Sequence, residues 1–154
     1  MQASSISSAP FFKARLPLPP GINQSYKIVT VPSKARGGRI RYDRPPTVNR
    51  IGPSEALETF KRDAALMLIN AKVDRFVIEA IQASTHKVPL QVSLTFYYRT
   101  LWRNDVDGGI KAAVDACFDC LGINDNRVLR IVVDKAVDRA APHAEVEISC
   151  LVGR

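Results

Sequence analysis

Cysteine and histidine are scarce in this 154-residue chain. The three cysteines, Cys117, Cys120 and Cys150, are an odd number without a secretory leader, which argues against a disulfide framework. Cys117 and Cys120 form a C-x-x-C, but a zinc site needs four ligands, and His86 and His143 stand without ligand spacing. The pair falls inside a helical pattern and reads as small buried hydrophobes. No run approaches the roughly 20 consecutive apolar residues that cross a bilayer. Residues 1–10 carry no basic residue and no apolar core segment, so they read as a short flexible tail rather than a leader. The expectation is a soluble, cytoplasmic protein. With 46% hydrophobic and 24% charged residues, the composition excludes a disordered or collagen-like chain, and the length suits one domain.

Acid is scarce too, but only in the first third. Residues 1–53 hold nine Lys/Arg and one acid, Asp43, a net of +8. Residues 54–154 hold thirteen Lys/Arg and fourteen acids, a net of −1. Concentrated positive charge favours polyanions, because neutralising phosphates releases condensed counterions. A solubilising surface is the plainer alternative.

The elements follow from periodicity and punctuation. Phe11 to Leu16 has strand composition and ends in Pro17-Leu18-Pro19-Pro20-Gly21, which cannot continue a sheet ladder. Tyr26 to Val31 is β-branched and reads as a second strand. Residues 32–53 read as a basic loop carrying Lys34, Arg36, Arg39, Arg41, Arg44 and Arg50, with a hairpin tip at Gly37-Gly38 between Val31 and Ile40. Such an arm suits phosphates and folds on contact.

Ser54 is a helix N-cap, followed by Glu55 and Glu58, where the helix dipole favours acids. Leu57, Phe60, Ala64, Leu68 and Ala71 recur at helical spacing, and helical character continues from Val73 to Ala83 after a break near residues 72–74. Val88 to Arg99 alternates as a strand, with Leu90, Val92, Leu94 and Phe96 on one face. Asp107 to Leu121 reads as a helix closed by Gly122. Residues 128–137 and 145–152 read as final strands. The order β-β-α-β-α-β-β describes an α+β fold, a single domain over residues 11–154, with helices packed on a mixed, mostly antiparallel sheet.

The segment from Trp102 to Lys111 carries the chemistry. If Asp105 and Asp107 are extended, the i, i+2 spacing puts both carboxylates on one face. They repel unless a cation intervenes, and Mg²⁺ is a hard ion that suits them. Lys111 lies one helical turn beyond Asp107, where it can neutralise a carboxylate or reach a phosphate. Asp125 sits in a polar turn after the helix. A helix of about fourteen residues spans roughly 21 Å, so Asp125 meets Asp105 only if the chain turns back or a symmetric dimer supplies it. The plainer alternative makes Asp107 a helix cap and Asp105 part of a solvated turn. Asp115 and Asp119 read as a solvated stripe, and Asp134 and Asp138 as surface residues on a strand.

These residues resemble the RusA-like Holliday-junction resolvases, crossover-junction endodeoxyribonucleases of bacteria and their prophages. The family shows L-P-x-P-P-x-x-N-x-x-Y, matched by residues 16–26, from Leu16 through Asn23 to Tyr26. It shows D-x-D-N-x-x-K before a helix, matched by Asp105, Asp107 and Lys111, then a small turn matched by Gly122-Ile123-Asn124-Asp125. The motifs occur in the right order and span residues 16–135.

The resemblance implies catalytic and metal-holding roles for Asp105, Asp107 and Asp125, and a catalytic lysine at Lys111. It implies Mg²⁺, with substitution by Mn²⁺ left open, and a homodimer that sets two sites on a four-way DNA junction for paired symmetric nicks. No small-molecule cofactor and no membrane partner are implied, and the source would be bacterial or phage-encoded. Nucleic-acid contacts fall to Asn23, Tyr26, Lys34, Arg36, Arg39, Arg41, Arg103 and Lys135. Where the family commonly has Asn after the second Asp, this chain has Gly108. The alternatives are a nuclease for other branched DNA, or a basic binding module without catalysis.

Overall fold

The computed structural model describes residues 6–7, 9–32, 47–102 and 104–152. In chain order the elements are β1 (Ile6–Ser7), β2 (Phe12–Leu16), α1 (Ile22–Ser25), β3 (Tyr26–Pro32), β4 (Thr47–Pro53), α2 (Glu55–Leu68), β5 (Lys72–Val73), α3 (Arg75–Ala83), β6 (Leu90–Tyr98), α4 (Ile110–Leu121), a 3₁₀ turn (Asp125–Arg127), β7 (Val128–Val137) and β8 (His143–Val152). The main sheet runs β5-β2-β8-β6-β7, with β1 also paired to β8, while β3 and β4 form a separate two-stranded sheet. The α+β class with a mixed, mostly antiparallel sheet is as read from the sequence.

Among the described residues one strand pair, β6 with β7, is parallel, and the other pairs are antiparallel. A parallel pair needs a crossover, and α4 supplies it. Along β6 the alternation buries Leu90, Val92, Leu94, Phe96 and Tyr98. Their face meets Leu57, Phe60, Ala64 and Leu68 of α2, and Ala113, Cys117 and Phe118 of α4, in one apolar core. Each fully buried Phe or Leu contributes about 1.5–3 kcal/mol, so this one-sided layer is the main source of stability. The intervening β6 residues, such as Ser93 and Thr95, pair with Glu147 and Glu145 of β8 on the opposite face.

Several boundaries differ from the sequence reading. Ile6 and Ser7, expected in the flexible tail, pair with Val152 and Leu151 of β8. The expected loop 32–53 begins and ends in strand. β3 and β4 pair from Tyr26↔Pro53 to Pro32↔Thr47. The partner of β3 is therefore Thr47–Pro53, where Thr47, Val48 and Ile51 are β-branched and favour a pleated strand despite the adjoining positive charge. Gly37, Gly38 and Ile40, the expected tip, lie outside the described residues. After α2, the chain forms β5 against Phe12 and Lys13, then starts α3 afresh. Asp74 caps α3 by accepting from the Phe76 and Val77 N–H groups, which explains the break.

The helix expected from Asp107 begins at Ile110, because Gly108 and Gly109 disfavour the helical state and form a turn instead. Of the C-x-x-C pair only Cys117 is buried, and Cys120 is exposed. Asp138 lies just past β7, where it organises a turn. Among the described residues no helix is long and apolar enough to cross a membrane.

Candidate functional site

The N-terminal proline turn and the acid loop are packed together. A Cβ placed on Gly109 would lie 2.3 Å from Pro19 Cγ, so only glycine lets this turn sit under the proline ring. Gly108 lies beside Gly21, at an ordinary 3.4 Å from a Cβ to the Gly21 Cα. The next turn is pinned in its own right. Ser25, buried on α1, donates its hydroxyl to Gly21 O at 2.9 Å, and Ser54 N–H donates to Ser25 O at 2.9 Å. Ser54 also caps α2, accepting from Leu57 N–H at 3.2 Å. Two segments about 85 residues apart in sequence are thus held by one small knot of packing.

Between them opens a cleft of about 190 Å³. Tyr26, Lys61, Asp107, Lys111 and Asp115 line it, over a floor that includes Leu57 and Ala112. Asp107 does not cap α4. The cap position is Gly109, with no side-chain hydrogen bond, and Asp107 contributes only its carbonyl, which accepts from Ile110 N–H at 3.2 Å. The plainer reading of Asp107 as a cap therefore fails. Lys111 Nζ lies 3.2 Å from Asp115 Oδ1 and 3.1 Å from Asp115 Oδ2. The hydrogen bond and charge of Asp115 raise the Lys111 pKa; burial opposes them, and Tyr26 and Asp125 add lesser contributions to the rise. Asp115, read from sequence as a solvated stripe residue, is thus a cleft residue. Its i, i+4 spacing from Lys111 was the available signal.

Asp125 does not line the cleft, but its charge acts on Lys111. The chain turns back because Gly122 takes the left-handed conformation at φ 62°, which favours glycine. Gly122 N–H donates to Asp119 O and Ile123 N–H to Phe118 O, and the buried Ile123 holds the return. Gln82 of α3 closes the helix end by donating to Leu121 O and Gly122 O.

Asp105 is exposed and stands near the end of β6, where its charge adds to burial in raising the Tyr98 pKa. The segment holding Asp105 and Asp107 is bent rather than extended, so the two carboxylates do not share one strand face. The reason is local: β6 stops at Tyr98, and the two glycines impose a turn ahead of α4. Lys135 reaches this loop. Its Nζ donates to Leu101 O at 3.0 Å and Asn104 O at 2.8 Å, tying β7 to the backbone just before Asp105.

Asn23 is exposed on α1, and Tyr26 is partly exposed at the start of β3. Lys34, Arg36, Arg39, Arg41 and Arg103 lie outside the described residues. Among the described residues no group of three or more His, Cys, Asp or Glu side chains gathers closely enough to hold a metal ion. A larger cleft, of about 600 Å³ between the end of α2, α3 and the end of α4, contains none of the described site residues read from the sequence.

On the opposite sheet face, the buried His143 stacks on Tyr97 with ring centres 4.3 Å apart. Its Nδ1 lies 2.7 Å from Ala141 O, and its Nε2 is 3.4 Å from Glu145. The sequence pattern held no sign of this cluster, since its members come from different strands. No protein-family model matches the chain, and no curated protein matches it.

Proposed function

We propose that the protein is a divalent-metal-dependent, structure-selective endodeoxyribonuclease of the RusA-like kind. It acts as a homodimer and resolves four-way DNA junctions by paired symmetric nicks. The supporting observation is the convergence at one cleft of segments remote in sequence. Pro19 packs on the Gly109 turn, and Tyr26, Asp107 and Lys111 line the same space.

Carboxylate oxygens suit Mg²⁺, which commonly takes one or two carboxylates and completes its shell with substrate phosphate and water. Asp107 and Asp105 would be the first donors for such an ion, and Asp125 would be the third. The bound ion would supply an activated water and counter-charge for the leaving oxygen. Lys111, kept protonated by Asp115, stabilises charge developing on the phosphate oxygens. The arginines and lysines of the first third supply affinity through phosphates without reading sequence. A two-fold dimer presents two such clefts to a substrate with matching symmetry.

The test is a synthetic immobile junction incubated with and without Mg²⁺, read at nucleotide resolution beside three-way and linear duplexes. The expected result is a pair of symmetric nicks that requires Mg²⁺, with Asp107→Asn binding the junction but not cutting it. Equal cutting by Asp107→Asn removes that residue from the reaction. Preference for three-way DNA moves the assignment to another branched substrate. One observation favours a second reading, a basic nucleic-acid-binding module without catalysis: the net charge of +8 concentrated in residues 1–53. That module binds junctions and never nicks them.

A further inference from the structure

We propose that Lys61 is the residue that binds the backbone phosphate of the substrate in this cleft. Lys111 is paired with Asp115. The proposal rests on the nuclease reading and assigns its ground-state contact.

Among the described residues four charged side chains line the cleft: Lys61, Asp107, Lys111 and Asp115. Lys111 faces both oxygens of Asp115 one turn along α4, with the Lys111 side chain 65% exposed and that of Asp115 27% exposed, so the lysine charge is offset by a neighbouring carboxylate. Together they cancel. What remains is one cation, Lys61, and one anion, Asp107. Lys61 follows the buried Phe60 and stands one turn after the buried Leu57, which fixes α2 at the wall of the cleft. Among the described residues it has no hydrogen-bond or ion-pair partner. A phosphodiester entering the cleft meets repulsion from Asp107 before any cation arrives from solution. Lys61 offsets that repulsion as a compact point charge with three donors. The sequence pattern hides it, because a lysine beside a buried stripe reads as an ordinary solvated position.

The test uses the full chain, an immobile four-way junction and no divalent ion. Binding is followed by fluorescence anisotropy between 50 and 200 mM salt. Each phosphate contact adds about 0.9 to the slope of log affinity against log salt, so one contact accounts for about a 3.5-fold loss across that range. Lys61→Gln is expected to lose that one contact, and Lys61→Arg to restore it. Lys111→Gln should change the slope much less, since Asp115 already neutralises the lysine. Asp115→Asn frees Lys111 and should steepen the slope. Lys72→Gln, on the edge strand β5, serves as the surface control and should leave the slope unchanged. Far-UV circular dichroism checks that each variant is folded.

A wild-type slope in Lys61→Gln, or an equal loss in Lys111→Gln, overturns the assignment. Absence of salt-dependent DNA binding by the unmodified protein overturns the nuclease reading and this proposal with it.

Discussion

Replacing Gly109 by alanine strikes the contact that joins the proline turn to the acid loop. The added carbon would lie 2.3 Å from Pro19 Cγ and 3.1 Å from Pro19 Cβ. Carbon atoms attract best at about 3.5–4.0 Å, so the first distance is deeply repulsive. Pro19 cannot rotate away, because its ring is closed onto the backbone. The backbone must shift instead, and overpacking of this kind costs about 1–3 kcal/mol. Gly108 provides the internal control. Its added carbon meets Gly21 Cα at 3.4 Å, an ordinary contact, and Gly108 does not adopt a positive φ. Gly108→Ala should therefore stay within about 0.5 kcal/mol.

In a chain of this size, 1 kcal/mol moves the melting midpoint by roughly 2–4 °C. Gly109→Ala should accordingly lower it by about 4–8 °C, taking a cost near 2 kcal/mol. Gly108→Ala should lower it by no more than about 2 °C. Thermal melts by circular dichroism measure both. On the nuclease reading proposed above, junction cleavage by folded Gly109→Ala should fall as well, since Asp107 and Lys111 flank the displaced turn. A wild-type melt for Gly109→Ala, or equal effects at the two positions, refutes the packing argument.

Two further expectations concern cysteine and pH. Burial pushes the Cys117 thiol up to about 12, while Cys120 on the next turn is exposed. A thiol reagent at mildly alkaline pH should label Cys120 in the native protein and Cys117 only after unfolding, and comparable native labelling of both would contradict the burial. Asp138 accepts from Ala141 N–H at 2.9 Å and Ala140 N–H at 3.0 Å. The bond from Ala141 leads in holding its pKa below the ordinary carboxylate value of 3.8. Desolvation opposes it as the next-largest effect, and the bond from Ala140 with the nearby His143 and Arg15 completes the net lowering. A lowered folded pKa means stability present above the unfolded value and lost as pH falls through the folded one. Denaturant midpoints should show the wild type above Asp138→Asn at neutral pH, with the gap closing below about pH 3.8. A gap that persists undiminished at pH 2 would show that charge has no part in it.

The class of fold, the α2 cap at Ser54, the buried face of β6 and the closing glycine at 122 were all legible in one dimension. Each depends on residues within a few positions of one another, where periodicity and capping chemistry act. The motifs around Pro19 and Asp107 were legible as well, but their contact was not. Nothing local tells Gly109 that it must admit a proline ring ninety residues earlier in the chain. The sequence also suggested loop where Thr47–Pro53 is strand, because its charge and glycine outweighed its β-branched residues until a partner strand was in place. Tertiary structure alone decided that Lys61 shares a cleft with Asp107, and that Asp115 holds Lys111 within it. It also decided that Lys135 ties down the acid loop. Those relations arise when separate elements are packed around a common core, and the distances that set their electrostatics exist only after that packing.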